Sequence, residues 1–316
     1  MKMTKGGQSI FLVIASTLLL AWLFCHLTLH VDIPSARLVS HTGLTIRVNT
    51  FRRNDLLEGF LKYYTAEKRM KECALLKEIT VVWSDTENKP PLDWEKTYGP
   101  KVVSNTDTKD SKNPITGPYV RFEVHEQNSL NNRFVSLQDV PTEAVLSIDD
   151  DLIIPCDTLA QNLRTWTSFP RALVGFSPRM HGYDALSGDT RYLRWQHTWW
   201  SGVYSIMLTK AAFMHRDYLS DFQRLVPQAF LQHVDDVRNC EDLALAYVAA
   251  KQTNAAPVWA NGIVYEVSGQ NLGGISAGGS HFETRSECLG KLRELAGDFP
   301  WVTGYQKVVP LGIEDW

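Results

Sequence analysis

The sequence predicts an α/β protein with a doubly wound sheet, and three observations carry that expectation. Strand-length apolar runs alternate with segments of helical periodicity through the first half of the globular part. No Pro/Gly/Ser linker divides the chain after its first 43 residues. One buried-looking run, Ala144-Val145-Leu146-Ser147-Ile148, ends abruptly in three carboxylates, Asp149-Asp150-Asp151. Open α/β sheets bind their ligands at the carboxyl ends of strands.

The first strand is Leu44 to Thr50, which runs into Arg52 and Arg53. A helix over Asp55 to Tyr64 follows, with apolar Leu56, Leu57, Phe60, Leu61 and Tyr64 at helical spacing. Ile79 to Trp83 is a second buried strand. Ser84 to Pro118, rich in Pro, Asn, Asp, Lys and Gly, is an irregular excursion. Tyr119 to His125 alternates like a strand, and Thr158 to Ser168 reads as a helix after the acids. Leu173 to Phe176 and Val203 to Leu208 are further strands. Ala211 to Tyr218 begins a helix, Asn239 caps another that continues from Leu243 to Ala250, and Glu287 to Ala296 is the last.

The 316 residues carry a formal charge of −3, which argues against a nucleic-acid partner. Residues Ser9 to Val31 are almost uncharged and long enough to cross a bilayer. Lys2 and Lys5 precede this run, so the positive-inside rule puts residues 1–8 in the cytosol and the rest in a lumen. A cleaved signal peptide is the rival, but the run is long for one and lacks a small-x-small site. The organisation expected is therefore tail 1–8, signal anchor 9–31, stem 32–43 and catalytic unit 44–316. Cys25 falls in the anchor; Cys73, Cys156, Cys240 and Cys288 match no zinc spacing and read as paired or buried thiols.

Three adjacent acids repel one another unless a cation sits among them. Their hard oxygens suit Mn²⁺ or Mg²⁺, which in turn suits a diphosphate; the bland alternative is a solvated acidic loop. Arg52, Arg53 and Arg133 are cations suited to a nucleotide phosphate, or ordinary surface residues. Asn128, Asn132 and Arg133 could read a base and ribose or simply form turns. Glu241 and Asp242 fit the first turn of a helix, where the dipole favours acids. They also fit the stabilisation of positive charge at a sugar carbon. The pair Trp199-Trp200 is either core or a stacking platform for a sugar or acceptor.

Taken in order, several motifs resemble glycosyltransferase family 64, the exostosin-like family, from about Leu44 to Trp316. They are Asn128-Ser129-Leu130-Asn131-Asn132-Arg133-Phe134, Val145 through Asp151, Gly175-Phe176-Ser177-Pro178-Arg179, Trp200-Ser201-Gly202-Val203-Tyr204-Ser205 and Arg238-Asn239-Cys240-Glu241-Asp242-Leu243-Ala244. The resemblance implies a GT-A fold and Mn²⁺-dependent transfer with retention from a nucleotide sugar. It assigns the D-x-D site to Asp149, Asp150 and Asp151, with Asp151 and Asp149 as metal ligands. Asn49, Arg53, Asn128, Asn132 and Arg133 take nucleotide-sugar positions. Asp242 and Arg285 become catalytic, and Cys240 and Cys288 a disulfide. Arg179, Trp200, Glu241 and His281 are expected on the acceptor side.

Asn49 stands where animal members carry Gln, and Ser84 where they carry Asn. The motif wording is nearer the plant branch, glycosylinositol phosphorylceramide mannosyltransferases that use GDP-mannose. The expectation is a Golgi type II membrane enzyme moving mannose from GDP-mannose to a glycolipid headgroup. The rivals are a UDP-dependent α-N-acetylhexosaminyltransferase acting on a glycosaminoglycan or other glycan, and a non-catalytic lumenal scaffold.

Overall fold

The computed structural model describes residues 43–103, 115–184, 186–267, 281–297 and 300–309. The expected anchor with Cys25, nearly all of the stem and the Gly-rich stretch 269–279 lie outside these. Among the described residues no helix is long and apolar enough to cross a membrane.

Strand β1 (Leu44–Thr50) is followed by helices α1 (Asn54–Thr65) and α2 (Glu67–Glu72), then β2 (Leu76–Trp83) and the short α3 (Trp94–Tyr98). A small ribbon of β3 (Val102–Val103) and β4 (Ile115–Thr116) precedes β5 (Tyr119–Val124). A 3₁₀ turn, Leu130–Phe134, leads to β6 (Ala144–Asp149), β7 (Leu152–Ile153) and α4 (Cys156–Ser168). Next come β8 (Val174–Gly175), β9 (Pro178–Tyr183), β10 (Thr190–Leu193), α5 (Trp195–Ser201), β11 (Ile206–Met207) and β12 (Ala211–His215). Helices α6 (Asp217–Leu225), α7 (Gln228–Val237) and α8 (Glu241–Thr253) pack beside them. The described chain closes with β13 (Val258–Ala260), β14 (Tyr265–Glu266), α9 (His281–Ala296) and β15 (Lys307–Val308).

The main sheet has eight strands in the order β15-β13-β8-β12-β6-β1-β2-β5. Pairings are parallel except at β12, which lies antiparallel between β6 and β8. The sheet is therefore mixed, and the fully wound pattern expected from the first half holds only for β6-β1-β2-β5. Successive side chains of a strand face opposite layers, and β6 shows the consequence. Ala144, Leu146 and Ile148 enter one core with Leu57, Phe60 and Trp166. Val145 enters the other, with Phe134, Phe222 and the apolar side chains of α8.

Ala211 to His215 is strand rather than the start of a helix. Its five residues are all buried, four apolar ones in a row, and carry no period to distinguish the two states. The open slot beside β6 decides, and the helix begins at Asp217. Of Val203 to Leu208, Ile206 and Met207 pair against β9, and Tyr204 makes a single antiparallel bridge to Gly304. Disulfides join Cys73 to Cys156 and Cys240 to Cys288, with Cα atoms 5.1 and 6.4 Å apart.

Candidate active site

The acids terminate β6 beside the ends of β1 and β2, because Asn49 is in register with both Asp149 and Val82. Their side chains divide the work. Asp150 is fully buried: its Oδ2 accepts from Thr50 Oγ1 at 2.7 Å and its Oδ1 meets Arg53 Nη2 at 2.5 Å. Burial pushes this carboxyl up to about 6. Asp149 and Asp151 retain exposed surface, 26% and 17% of their side chains. Asp149 pairs with Arg133 and Asp151 with Arg53 Nη1 at 3.2 Å. The middle acid, in the turn that follows β6, is thus held inside the protein by Thr50 and Arg53 while its two neighbours keep exposed surface.

Two part-exposed carboxylates are a donor set that suits a hard divalent cation. No group of three or more His, Cys, Asp or Glu converges among the described residues. Such a cation would take its remaining ligands from phosphate oxygens and water, the arrangement small hard cations favour in nucleotide sites.

A cleft of about 560 Å³ opens beside Arg53, lined by Arg52, Asn54, Asp55, Trp83, Asp85 and Asn88 among others. Asp85 is fixed there by the Asn88 amide at 2.9 Å, by backbone N–H groups of Glu87 and Asn88, and by Arg52. These donors, Asn88 first, hold its carboxyl at about 2. Asn132 directs its amide N–H groups to Ser84 Oγ at 3.0 Å and Gln127 O at 2.7 Å. Asn128 accepts from Arg238 through its side-chain and main-chain oxygens. Both asparagines hold loops at the carboxyl ends of β2 and β5.

Arg133 joins the two halves of the site. Its Nη2 pairs with Asp149, while its Nη1 donates to Thr209 at 3.4 Å and lies 3.9 Å from Glu241 Oε1. The side chain is 8% exposed. An arginine that buried needs anionic partners, and its partners come from β6 and α8.

Helix α8 starts in an unusual way. The cap is Cys240, in the left-handed region at φ 81°, and Asn239 instead accepts from the Cys240 N–H at 2.8 Å. The Asn239 cap read from sequence is thus displaced by one residue, because the bridge to Cys288 fixes Cys240 against α9. Asp242 Oδ2 accepts from Arg285 Nη2 at 2.8 Å, with both side chains buried. Arg285 also donates to Tyr192 OH at 3.3 Å and to His281 Nε2 at 3.4 Å. Asp242 Oδ1 is buried with no hydrogen-bond partner among the described residues. Burial, reinforced by the charge of Asp242, pushes Glu241 up to about 7.

Arg179 projects from β9 and donates to Pro178 O at 2.8 Å. Its charge acts on both Tyr192 and His281. Trp200, on α5, is 68% exposed, which rules out the core reading for it; its ring centroid lies 6.1 Å from that of Trp199. Sequence reasoning passed over Tyr192, Thr50 and Thr209. In the sequence Tyr192 is one aromatic among several between Tyr183 and Tyr204, and isolated threonine hydroxyls carry no pattern of their own.

Paired acids at a strand end and a buried Asp–Arg couple do not fix a reaction by themselves; the match to a glycosyl transferase family does, and the chain is a glycosyltransferase. The model of the "Glycosyl transferase family 64 domain" matches residues 44–312, and the chain belongs to that family. It is 36% identical over 273 residues to glycosylinositol phosphorylceramide mannosyl transferase 1 of Arabidopsis thaliana, covering 85% of this chain and 77% of that one. It is 28% identical to mouse exostosin-like 2, covering 87% and 78% of the two chains. Against the exostosin-like-3 homolog of Caenorhabditis elegans it is 29% identical, but spans only 28% of that longer protein. A slighter likeness, TM-score 0.39 at 9% identity over 67% of this chain and 41% of the other, is to a structure of GalNAc-T7 with UDP, GalNAc and Mn²⁺.

Proposed function

We propose that this chain is a GT-A-type, retaining, Mn²⁺-dependent enzyme that moves mannose from GDP-mannose to a glycosylinositol phosphorylceramide headgroup. We place it in the Golgi membrane as a single-pass type II protein. The observation that carries the reading is the position of Arg133 between Asp149 and Glu241, which brings the acidic triplet and the Asp242–Arg285 couple into one site. The choice of donor and acceptor is supported by the 36% identity to a plant mannosyl transferase of that name. The membrane topology is supported by the apolar run 9–31 behind Lys2 and Lys5.

Asp149 and Asp151 would hold the metal, which supplies positive charge to the leaving diphosphate. Arg53, at the cleft mouth, binds phosphate oxygens, and Arg285 adds positive charge on the α8 side. The unpartnered Oδ1 of Asp242 is free to take an acceptor hydroxyl or to face positive charge at the sugar carbon. Trp200 offers an exposed ring to the acceptor's sugar faces.

The test is transfer by the full chain to purified glycosylinositol phosphorylceramide, with GDP-mannose and UDP-N-acetylhexosamines compared as donors. Mannosylated product from GDP-mannose alone supports the reading. Product from the UDP-sugar alone moves the assignment to hexosaminyl transfer, and no turnover or donor hydrolysis with either leaves a scaffold.

A further inference from the structure

Beneath the active-site loops lies a charged network that an apolar core would have made unnecessary. On one face of β1, β2 and β5 sit Arg47, Glu78, Arg121 and Glu123, side by side in the sheet. Arg47 pairs with Glu123 at 2.9 Å, and neither side chain has any exposed surface. Arg121 bonds Glu78 at 2.7 Å and stands 3.7 Å from Glu123. Burying such a pair is costly, and well-packed apolar side chains of similar volume often serve stability as well or better.

What apolar side chains cannot do is hold carbonyl oxygens, and Arg47 does this. Its Nη2 donates to Val135 O at 3.0 Å, its Nε to Arg133 O at 3.4 Å, and its Nη1 to Ser136 Oγ at 3.4 Å. Ser136 in turn donates to Glu123 at 3.1 Å. The fork therefore grips the main chain on both sides of residue 134, where the 3₁₀ turn ends. From that gripped backbone the Arg133 side chain reaches Asp149. Arg47 and Asn49 lie on the same face of β1, and Asn49 is the register partner of Asp149.

We propose that Arg47 is a positioning residue of the donor site: it fixes the backbone from which Arg133 aligns Asp149 for a nucleoside diphosphate. The ligand named rests on the functional reading above; the mechanical part does not. Arg47 bonds the main chain of Arg133, and it is the Arg133 side chain that pairs with Asp149, so Arg47 acts on that acid through Arg133.

The full chain is compared with two variants, R47M/E123L and R47K. The first replaces the buried pair by apolar side chains and removes the grip; the second keeps the charge beside Glu123 but loses the fork. Thermal unfolding, amide exchange over residues 130–136, GDP binding and donor KM and kcat are measured for each. The expected result is cooperative unfolding near the wild-type temperature, faster exchange over 130–136, and a donor KM and GDP Kd raised about tenfold, with kcat changed less. Should R47M/E123L fail to fold, R47K alone gives the comparison. Folded variants with wild-type exchange and wild-type donor KM overturn the proposal, leaving Arg47 a structural residue. Wild-type protein that binds no nucleoside diphosphate overturns the functional reading and the ligand named with it, and the exchange data tell that failure from the first.

Discussion

The carboxylate of Asp242 accepts a hydrogen bond from Arg285 at 2.8 Å, and the disulfide between Cys240 and Cys288 ties the same two segments covalently. The bridge lies two residues before the acid and three after the base, so helices α8 and α9 meet at one fixed point. Removing one partner of a buried pair leaves the other charge uncompensated. Asp242→Ala should therefore destabilise the fold by about 3 kcal/mol. Asp242→Asn keeps an oxygen for Arg285 and should cost less. Both should lower kcat about 100-fold or more if the carboxylate faces developing charge. Full turnover in a folded Asp242→Asn protein would contradict the assignment.

Loss of the Cys240–Cys288 bridge, as a double Ala variant, should reduce stability by about 2–5 kcal/mol. The same change at Cys73 and Cys156 should cost a similar amount, since both bridges close long loops, of 48 and 83 residues' separation. The two variants should separate in activity. Only the first bridge adjoins the Asp242–Arg285 couple, so kcat in the folded fraction should fall further there. Equal kcat in the two variants would mean that the bridge does not set the geometry of that pair.

Glu241 makes stability depend on pH in a defined direction. Its carboxyl is raised by burial, and then by Asp242, from 4.5 to about 7. Between those values the folded chain binds more protons than the unfolded one, so this group's contribution weakens as pH rises. Below 4.5 the acid is neutral in both states and the penalty is absent. Glu241→Gln removes the ionisation. Its melting temperature relative to wild type should therefore rise from pH 5 to pH 8, most steeply between 4.5 and 7. Parallel curves for the two proteins would show that Glu241 titrates as an ordinary surface acid.

Trp200 should separate binding from folding. With 68% of its surface exposed, Trp200→Ala should change stability by less than about 0.5 kcal/mol. If its ring is a platform for the acceptor, acceptor KM should rise while donor KM stays constant. An unchanged acceptor KM would remove Trp200 from the site.

Which of these features the sequence announced follows from how local each signal is. The strand ending in Asp149 was legible because an apolar run stopped at three charges, and both the run and the acids sit next to one another. Strand β12 was not, because Ala211-Ala212-Phe213-Met214 is apolar throughout and only the neighbouring β6 selects an extended chain. The role of Asp150 as the inward-facing acid needed Thr50, a hundred residues earlier, to be seen beside it. Asp242 read locally as a helix-dipole acid, and only the motif resemblance raised it further. Arg47 reads in sequence as one charge on a strand, whereas its partners at residues 123, 133, 135 and 136 are assembled by the sheet.

The most direct test of the account is calorimetric titration of the full chain with GDP and with UDP, each with and without Mn²⁺, repeated with Asp151→Ala. The account predicts that GDP binds in the presence of Mn²⁺, that omitting the metal weakens it, and that Asp151→Ala abolishes the metal-dependent part. GDP binding of equal strength without metal, or undiminished in folded Asp151→Ala, would contradict the assignment of the acidic triplet as the metal and diphosphate site.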